Sequence, residues 1–395
     1  MADQNELWPV SHNWRKSWSE SFEFKTEVLT SRDQSEQRRA LRFLPRVAYR
    51  FLSTLQGSSA PARTARLSAR QAQSFVIPHA RLSTGLTADI SGGTAAFTLD
   101  SDVDWGEIGR DLVFVRPDGT MEWGRILTYA AGSGTLEDNV LVTIPAGSTV
   151  RHGIRGRFNR ATQFKFATNY VGEVLADFLA EPGNVYRIPA GTDTEIYHSR
   201  PVWQLKPNWA RAPDLRWDQF QDVIDVGFGI RGYVDPVDYV ARRTNAQYLM
   251  QDAATQDQLY GFFNRRFGKR ESFYMPSWVR EFLVTAVTTT TLTVAGLETF
   301  ELFSGDPVHK HVVLFLKDGT RVYAEVASVA SAAGDSVITF LASIAAIALT
   351  DIAFATWLLP SRFATDRLEF TWMTNTVAPV NIAVQTIRDN IFSGA

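Results

Sequence analysis

Near the start of the chain, apolar and polar positions alternate with a period of two. Trp18, Phe22, Phe24, Thr26 and Val28 follow it, as a half-buried strand requires. Trp217 to Ile230 repeats the theme around Val223-Ile224-Asp225-Val226-Gly227-Phe228. A helical spacing comes next: Leu249, Ala253, Leu259, Phe262 and Phe263 predict a helix within Ala246 to Phe267, capped at Gly268. Glu36 to Leu55 reads as its counterpart, interrupted by Pro45. Short strands fill the rest. Asp118-Gly119 reads as a hairpin turn between Leu112–Arg116 and Met121–Tyr129. Asp318-Gly319 does the same between Val312–Lys317 and Arg321–Val329. Val140–Ile144 and Thr149–Phe158 are predicted as strand, turn and strand, and Gln163–Ala167 and Arg367–Met373 as closing strands.

Val337 to Leu359 is long enough to cross a membrane, with Asp351 as its one charge. A carboxylate inside a span costs a few kcal/mol. The stretch is therefore expected to form two buried strands around a turn near Leu349–Asp351. Met1 to Lys16 has Asp3 and Glu6 and no apolar core, so no signal peptide is expected there. Low order is expected for the first few residues, Gln56–Ala65, Gly132–Asp138 and Ser393–Ala395.

These elements recur. Leu7-Trp8 with Asn13-Trp14 returns as Val202-Trp203 with Asn208-Trp209, 195 residues on. Ser74-Phe75-x-x-Pro78 returns as Ser272-Phe273-x-x-Pro276 and Asp118-Gly119-Thr120 as Asp318-Gly319-Thr320. Arg157-Phe158 matches Arg362-Phe363, and Phe166 matches Phe370. Five matches in one order, with offsets from 195 to 205, predict a tandem duplication. The units are 1–200 and 201–395, with β blocks at about 72–170 and 271–375. The fold class expected is mainly β with a few helices, each unit carrying a small β-barrel or β-sandwich block.

Composition narrows the chemistry. The chain has no cysteine, which excludes disulfides, Cys-ligated metal and thiol catalysis. A net charge of −2 gives no global pull toward nucleic acid or anionic membrane. The basic residues are 33 Arg and 7 Lys, beside 11 Trp. Arg with Trp and Tyr suits protein–protein interfaces, and a GC-rich genome produces the same bias.

Motifs that could carry catalysis fit poorly. Gly227-Phe228-Gly229-Ile230-Arg231-Gly232 matches a dinucleotide fingerprint, but Tyr233-Val234-Asp235-Pro236 cannot open the helix that must follow. Asp100, Asp102 and Asp104 have calcium-loop spacing, yet Trp105 stands where the loop glycine belongs. His309 and His311 lie near Asp306 without a third local ligand. His12, His79, His152 and His198 have no nucleophile or acid at a recognisable spacing. No catalytic, cofactor or metal residue is assigned, and no enzyme activity is expected.

One charge bias stands out. Arg32 to Arg81 holds ten Arg against Asp33 and Glu36. Interleaved with aromatic and aliphatic residues, it could hold nucleic-acid phosphates or pack on an acidic neighbouring subunit. The rest of the chain shows no companion nucleic-acid motif, so the subunit reading is preferred. Arg38, Arg39, Arg42 and Arg46, with Trp8, Trp14, Trp203 and Trp209, are the candidate partner-interface residues.

Phe24-Lys25-Thr26-Glu27-Val28-Leu29-Thr30-Ser31, then Ser35-Glu36-Gln37-Arg38-Arg39-Ala40 and Leu44-Pro45-Arg46, resembles the opening of tail-tip proteins of long-tailed bacteriophages. The specific part covers about 25 residues; a looser plan of Phe-x-x-Pro strand, β block and Arg-Phe strand covers most of the chain. Ser35 departs from the glycine often found before Glu-Gln-Arg. The resemblance implies a structural protein of the distal tail or hub, made in the host cytoplasm and carried in the virion. It implies tail tube, hub and central fibre proteins as partners, and DNA contact only by passage through the lumen. A homo-oligomer is expected, a trimer in preference to a hexamer, since a duplicated chain assembled as a trimer presents six similar units to a six-fold tube and so acts as a symmetry adaptor. A carbohydrate-binding adhesin using exposed aromatics is the alternative, and a polysaccharide-cleaving enzyme with paired carboxylates a third.

Overall fold

The computed structural model describes the chain outside residues 1–5, 10–11, 32–33, 57–64, 66–69, 71–72, 160–161, 169–170, 183–191, 219–221, 226, 228, 230, 235–239, 307 and 389–395. The low-order expectations for the first residues, for most of 56–65 and for 393–395 lie outside the described residues. The protein is mainly β, and its sheets pair their strands antiparallel.

The first half supplies β1 (Trp18–Thr30), β2 (Glu36–Gln56), β3 (Phe75–Gly85), β4 (Ala96–Thr98) and β5 (Asp111–Val115). It continues with β6 (Met121–Ala130), β7 (Ser133–Leu136), β8 (Thr149–Phe158), β9 (Gln163–Phe166) and β10 (Val171–Ala180). A short hairpin follows, β11 (Ile196–Tyr197) with β12 (Arg200–Pro201). The second half opens with β13 (Asp214–Asp218), the hairpin β14 (Asp222–Ile224) and β15 (Gly232–Val234), then β16 (Ala241–Met250) and helix α1 (Ala253–Arg265). Next come β17 (Phe273–Pro276), β18 (Val284–Val287), β19 (Thr291–Val294), helix α2 (Glu298–Phe303) and β20 (His311–Leu316). The last are β21 (Arg321–Ala332), β22 (Asp335–Phe340), β23 (Ile352–Phe363), β24 (Arg367–Trp372) and β25 (Ala378–Thr386).

One sheet runs β24-β1-β2-β10-β8-β5-β6-β7-β4, with β3 on β8 and β9 on β10. The other runs β13-β16-β25-β23-β20-β21-β22-β19-β18, with β17 on β23. Individual bonds recur between them. Trp8 N–H donates to Val76 O and Trp203 N–H to Tyr274 O, each at 2.8 Å. Asn13 N–H reaches Leu52 O at 2.8 Å, and Asn208 N–H reaches Gln247 O at 2.7 Å. Both Asp-Gly turns are pinned alike: Thr120 N–H to Asp118 Oδ1 and Thr320 N–H to Asp318 Oδ1, each 2.8 Å. Gly119 and Gly319 sit at φ of 80° and 91°, where a Cβ is disfavoured.

The long ribbon of β1 and β2 corrects the expectation of a helix over Glu36–Leu55. Val47, Tyr49 and Phe51 are buried in strict alternation, which only a strand allows. Pro45 does not break it, because the pairing shifts register between Glu23–Arg46 and Lys25–Arg42, where a missing N–H costs no ladder bond. The ribbon of the second half has the same register 195 residues on: Ser19 faces Arg50 as Asp214 faces Asn245, and Glu27 faces Arg39 as Asp222 faces Val234. The glycine fingerprint at 227–232 therefore lies at a ribbon tip that leads into strand β15 and opens no helix. The predicted helix in the second half begins later than expected, since Ala246–Met250 extends β16. The Asp252 side chain accepts the Thr255 N–H at 2.7 Å and starts α1.

Three other expectations shift. Val140–Ile144 is not a strand; Ile144 makes only an isolated bridge to Ile90. Gly132–Asp138 is ordered as part of a hairpin, with Ser133–Leu136 on β6. Gln163–Phe166 and Arg367–Trp372 are not the closing strands, for β10 and β25 follow them. Val337–Leu359 does contribute to two strands, β22 and β23, with a 3-10 turn at Leu349–Asp351. No helix among the described residues is long and apolar enough to cross a membrane.

The largest core spans both halves and includes Trp8, Phe22, Phe75, Trp203, Tyr260 and Phe370. Two smaller cores fill the strand blocks, one around Phe97, Leu112 and Val150, the other around Leu292, Leu314 and Trp357.

Candidate partner interface

The halves meet where β1 pairs with β24, from Trp18 opposite Trp372 to Glu23 opposite Arg367. Asp366 secures this seam, accepting the Thr26 N–H at 2.8 Å and the Lys269 N–H at 2.9 Å. Phe22 packs on Tyr260 with ring centres 4.1 Å apart, so α1 covers the first ribbon. Behind it lies a buried charge cluster. Glu20 is fully buried, 3.8 Å from His79 and 3.7 Å from Arg81. The Arg81 guanidinium stacks on Trp372 at 3.3 Å and donates to Asn375 O at 2.9 Å and to Gln256. A stacked, forked cation suits this place better than a lysine would. His79 and His152 are both buried, and burial pushes both imidazoles below their ordinary range, His152 well below it.

The arginine-rich segment is less unpaired than its sequence implies. Across the ribbon, Arg46 faces Glu23 and Arg39 faces Glu27; both arginines are exposed. Arg42 is half-buried and donates to Glu23 O at 2.8 Å. Arg50 bonds Asp177 at 2.6 Å, and this hydrogen bond holds its guanidinium above the ordinary value. Arg38 is half-buried with its Nε 3.8 Å from Glu36, and burial lowers it. Arg362 grips Glu36 with two bonds of 2.7 Å. Carboxylates outside the segment pair with two of its arginines, Asp177 with Arg50 and Glu20 with Arg81, so counting within Arg32–Arg81 overstated the excess. Arg32, Arg63 and Arg66 lie outside the described residues.

Arg38 also lines a cleft of about 1090 Å³. Arg200, Arg266, Arg270, Lys310 and Arg388 share its walls with Glu36, Glu271 and Glu325. At its edge His311 lies 3.2 Å from the hydroxyls of both Tyr197 and Tyr274. The excess of cations suits an acidic segment of a neighbouring protein.

The tryptophans divide. Trp8 and Trp203 are 0% and 1% exposed. Trp8 packs on Phe158 at 5.4 Å and Trp203 on Phe262 at 5.1 Å. They belong to the chain's own core, which corrects their assignment to a partner surface. Trp14 and Trp209 are exposed, and Trp209 lines an open pocket of about 400 Å³ with Lys206, Trp278 and Phe354.

Asp100 accepts from Thr84, and His309 bonds Asp306 at 3.0 Å. Among the described residues, no three His, Asp or Glu side chains are placed to hold a metal ion. Sequence reasoning missed Glu20 and its meeting with Arg81, which depends on tertiary pairing. It also missed two outer edges. Among the described residues, β9 pairs only with β10 and β13 only with β16. Exposed Phe166 and Trp217 on these short strands were the available signal.

Neither a protein-family model nor a curated protein matches the chain.

Proposed function

We propose that this protein is a structural component of a bacteriophage tail tip, of the distal-tail or hub type. In this reading residues 1–200 and 201–395 are two copies of one unit, each carrying a small β-barrel or β-sandwich block. The like strand order of the two sheets carries the reading, and the pairing of β1 with β24 adds to it, because a strand of the second half extends the sheet of the first. The separate apolar clusters support one strand block in each half. The resemblance of the β1–β2 ribbon to tail-tip openings supplies the setting. Three chains then present six similar units to a six-fold tube, and the protein acts as a ring and symmetry adaptor toward tip fibres. Catalysis forms no part of this role. The virion is its site of action, and Arg39 and Arg46 with the cationic cleft face neighbouring tail proteins.

The test is direct. Tailed particles from a culture encoding the chain, imaged without imposed symmetry, are expected to show three copies at the distal end of the tube. Absence of the chain from such particles by mass spectrometry overturns the reading. A second reading, a carbohydrate-binding adhesin, draws support from exposed Trp209 above its open pocket, since sugars stack on indole faces. In that case Trp209→Ala particles keep the ring but lose attachment to host polysaccharide.

A further inference from the structure

We infer that the open edge of β13 in one copy pairs with the open edge of β9 in a second copy, in the register that β1 and β24 use within one chain. The inference rests on the duplication proposed above. β13 stands to β16 as β1 stands to β2, at an offset of 195. β9 and β24 each precede a matching turn: Val171 N–H bonds Thr168 Oγ1 and Val377 N–H bonds Thr374 Oγ1, both at 3.1 Å, an offset of 206 that matches Phe166 to Trp372 and corrects its sequence match to Phe370.

Transposing the internal seam by these offsets fixes the partners along β9. Ser19 opposite Thr371 becomes Asp214 opposite Lys165. Glu20 opposite Phe370 becomes Leu215 opposite Phe164, and Trp18 opposite Trp372 becomes Pro213 opposite Phe166. The transposed register therefore sets a carboxylate across from an ammonium. Both are exposed; within one chain Lys165 faces Glu173 across β9–β10, whereas Asp214 faces the uncharged Asn245 and gains its first opposite charge at this seam. Opposite charges directly across a ladder stabilise it and like charges destabilise it. Exposure points the same way. Phe22 and Trp372 of the internal seam are 0% exposed, whereas their counterparts Trp217 and Phe166 are 62% and 48% exposed. An uncovered edge with aromatic side chains is a template for a further strand. The contact is head-to-tail, so internal and external seams alternate around the assembly.

The chain has no cysteine, which makes cross-linking clean. Directly opposed residues have Cα atoms about 4.5–5.5 Å apart, within disulfide reach. Purified full-length Lys165→Cys/Asp214→Cys protein is expected to oxidise to a covalent ladder that ends at three chains, while either single variant gives none. Separately, Lys165→Glu or Asp214→Lys should abolish the oligomer in native mass measurements, and Lys165→Glu/Asp214→Lys should restore it. A double-cysteine variant that stays a single chain after oxidation overturns the pairing. So does a reversed pair that fails to restore the oligomer while both single variants keep wild-type melting curves. A ladder running past three chains upholds the pairing and overturns the three-chain ring. A three-chain ladder from a protein missing from virions upholds the pairing and overturns the tail assignment.

Discussion

Phe22 and Trp217 occupy matching places in the two long ribbons, and their surroundings are opposite. Phe22 lies under α1 and beside β24, fully buried; Trp217 stands on an edge in solvent. The strands carrying them have similar patterns, so what decides burial is the neighbour each ribbon meets. The charges tell the same story. Glu20 is buried with Arg81 and His79, while the matching position in the second ribbon is Leu215, half-buried and apolar. The first ribbon carries a buried internal seam with an ion cluster beside it. The second keeps an edge that tolerates exposure.

Substitution should separate the two sides sharply. Phe22→Ala is expected to cost about 3–5 kcal/mol, as for large aromatic truncations in a core. Trp217→Ala in the isolated chain should stay within about 0.5 kcal/mol. Denaturant midpoints measure both, and equal losses would break the contrast. Next comes the buried cluster. Arg81→Ala leaves the Glu20 carboxylate buried without its guanidinium, a loss of about 3–5 kcal/mol. Val279, three residues after its proline as Arg81 is after Pro78, is exposed, and Val279→Ala should move the midpoint little.

The smallest expected effect is a pH dependence confined to the first half. His79 and His152 are held neutral by burial, whereas the second half has Ser277 and Trp357 at the matching places. The unfolded chain takes up protons near pH 6.5 while the folded chain does not. Stability is therefore full above that pH and falls as pH drops below it, by up to about 1.4 kcal/mol per unit for each histidine. Melting curves at pH 7.5 and 5.5 should show the loss, and His152→Phe should reduce it.

Much of this fold was readable. The Asp-Gly pairs, the Phe-x-x-Pro strands and the apolar run at 337–359 carry local signals that no tertiary contact overrides. The β1–β2 ribbon misled because Ala40, Leu44, Val47 and Phe51 also fit a helical period, and Pro45 looked like a helix breaker. The alternation of Val47, Tyr49 and Phe51 was present and decided the outcome. The interface was the harder problem. Asp177 pairs with Arg50 and Glu20 lies beside Arg81, both far away in sequence, and Trp8 and Trp203, both near the start of a half, turn inward. Residue type marked these positions as interactive without saying which side of the surface they serve.

The seam between β1 and β24 also orders events during synthesis. Trp18 and Trp372 are neighbours in the sheet yet lie near opposite ends of the chain. Such long-range pairing forms slowly and late. The first ribbon leaves the ribosome early and waits, with one edge open, until the last strands are made. During that wait an identical nascent chain can offer its own β24. That interval is where exchange of β24 between copies competes with closure of each chain on itself.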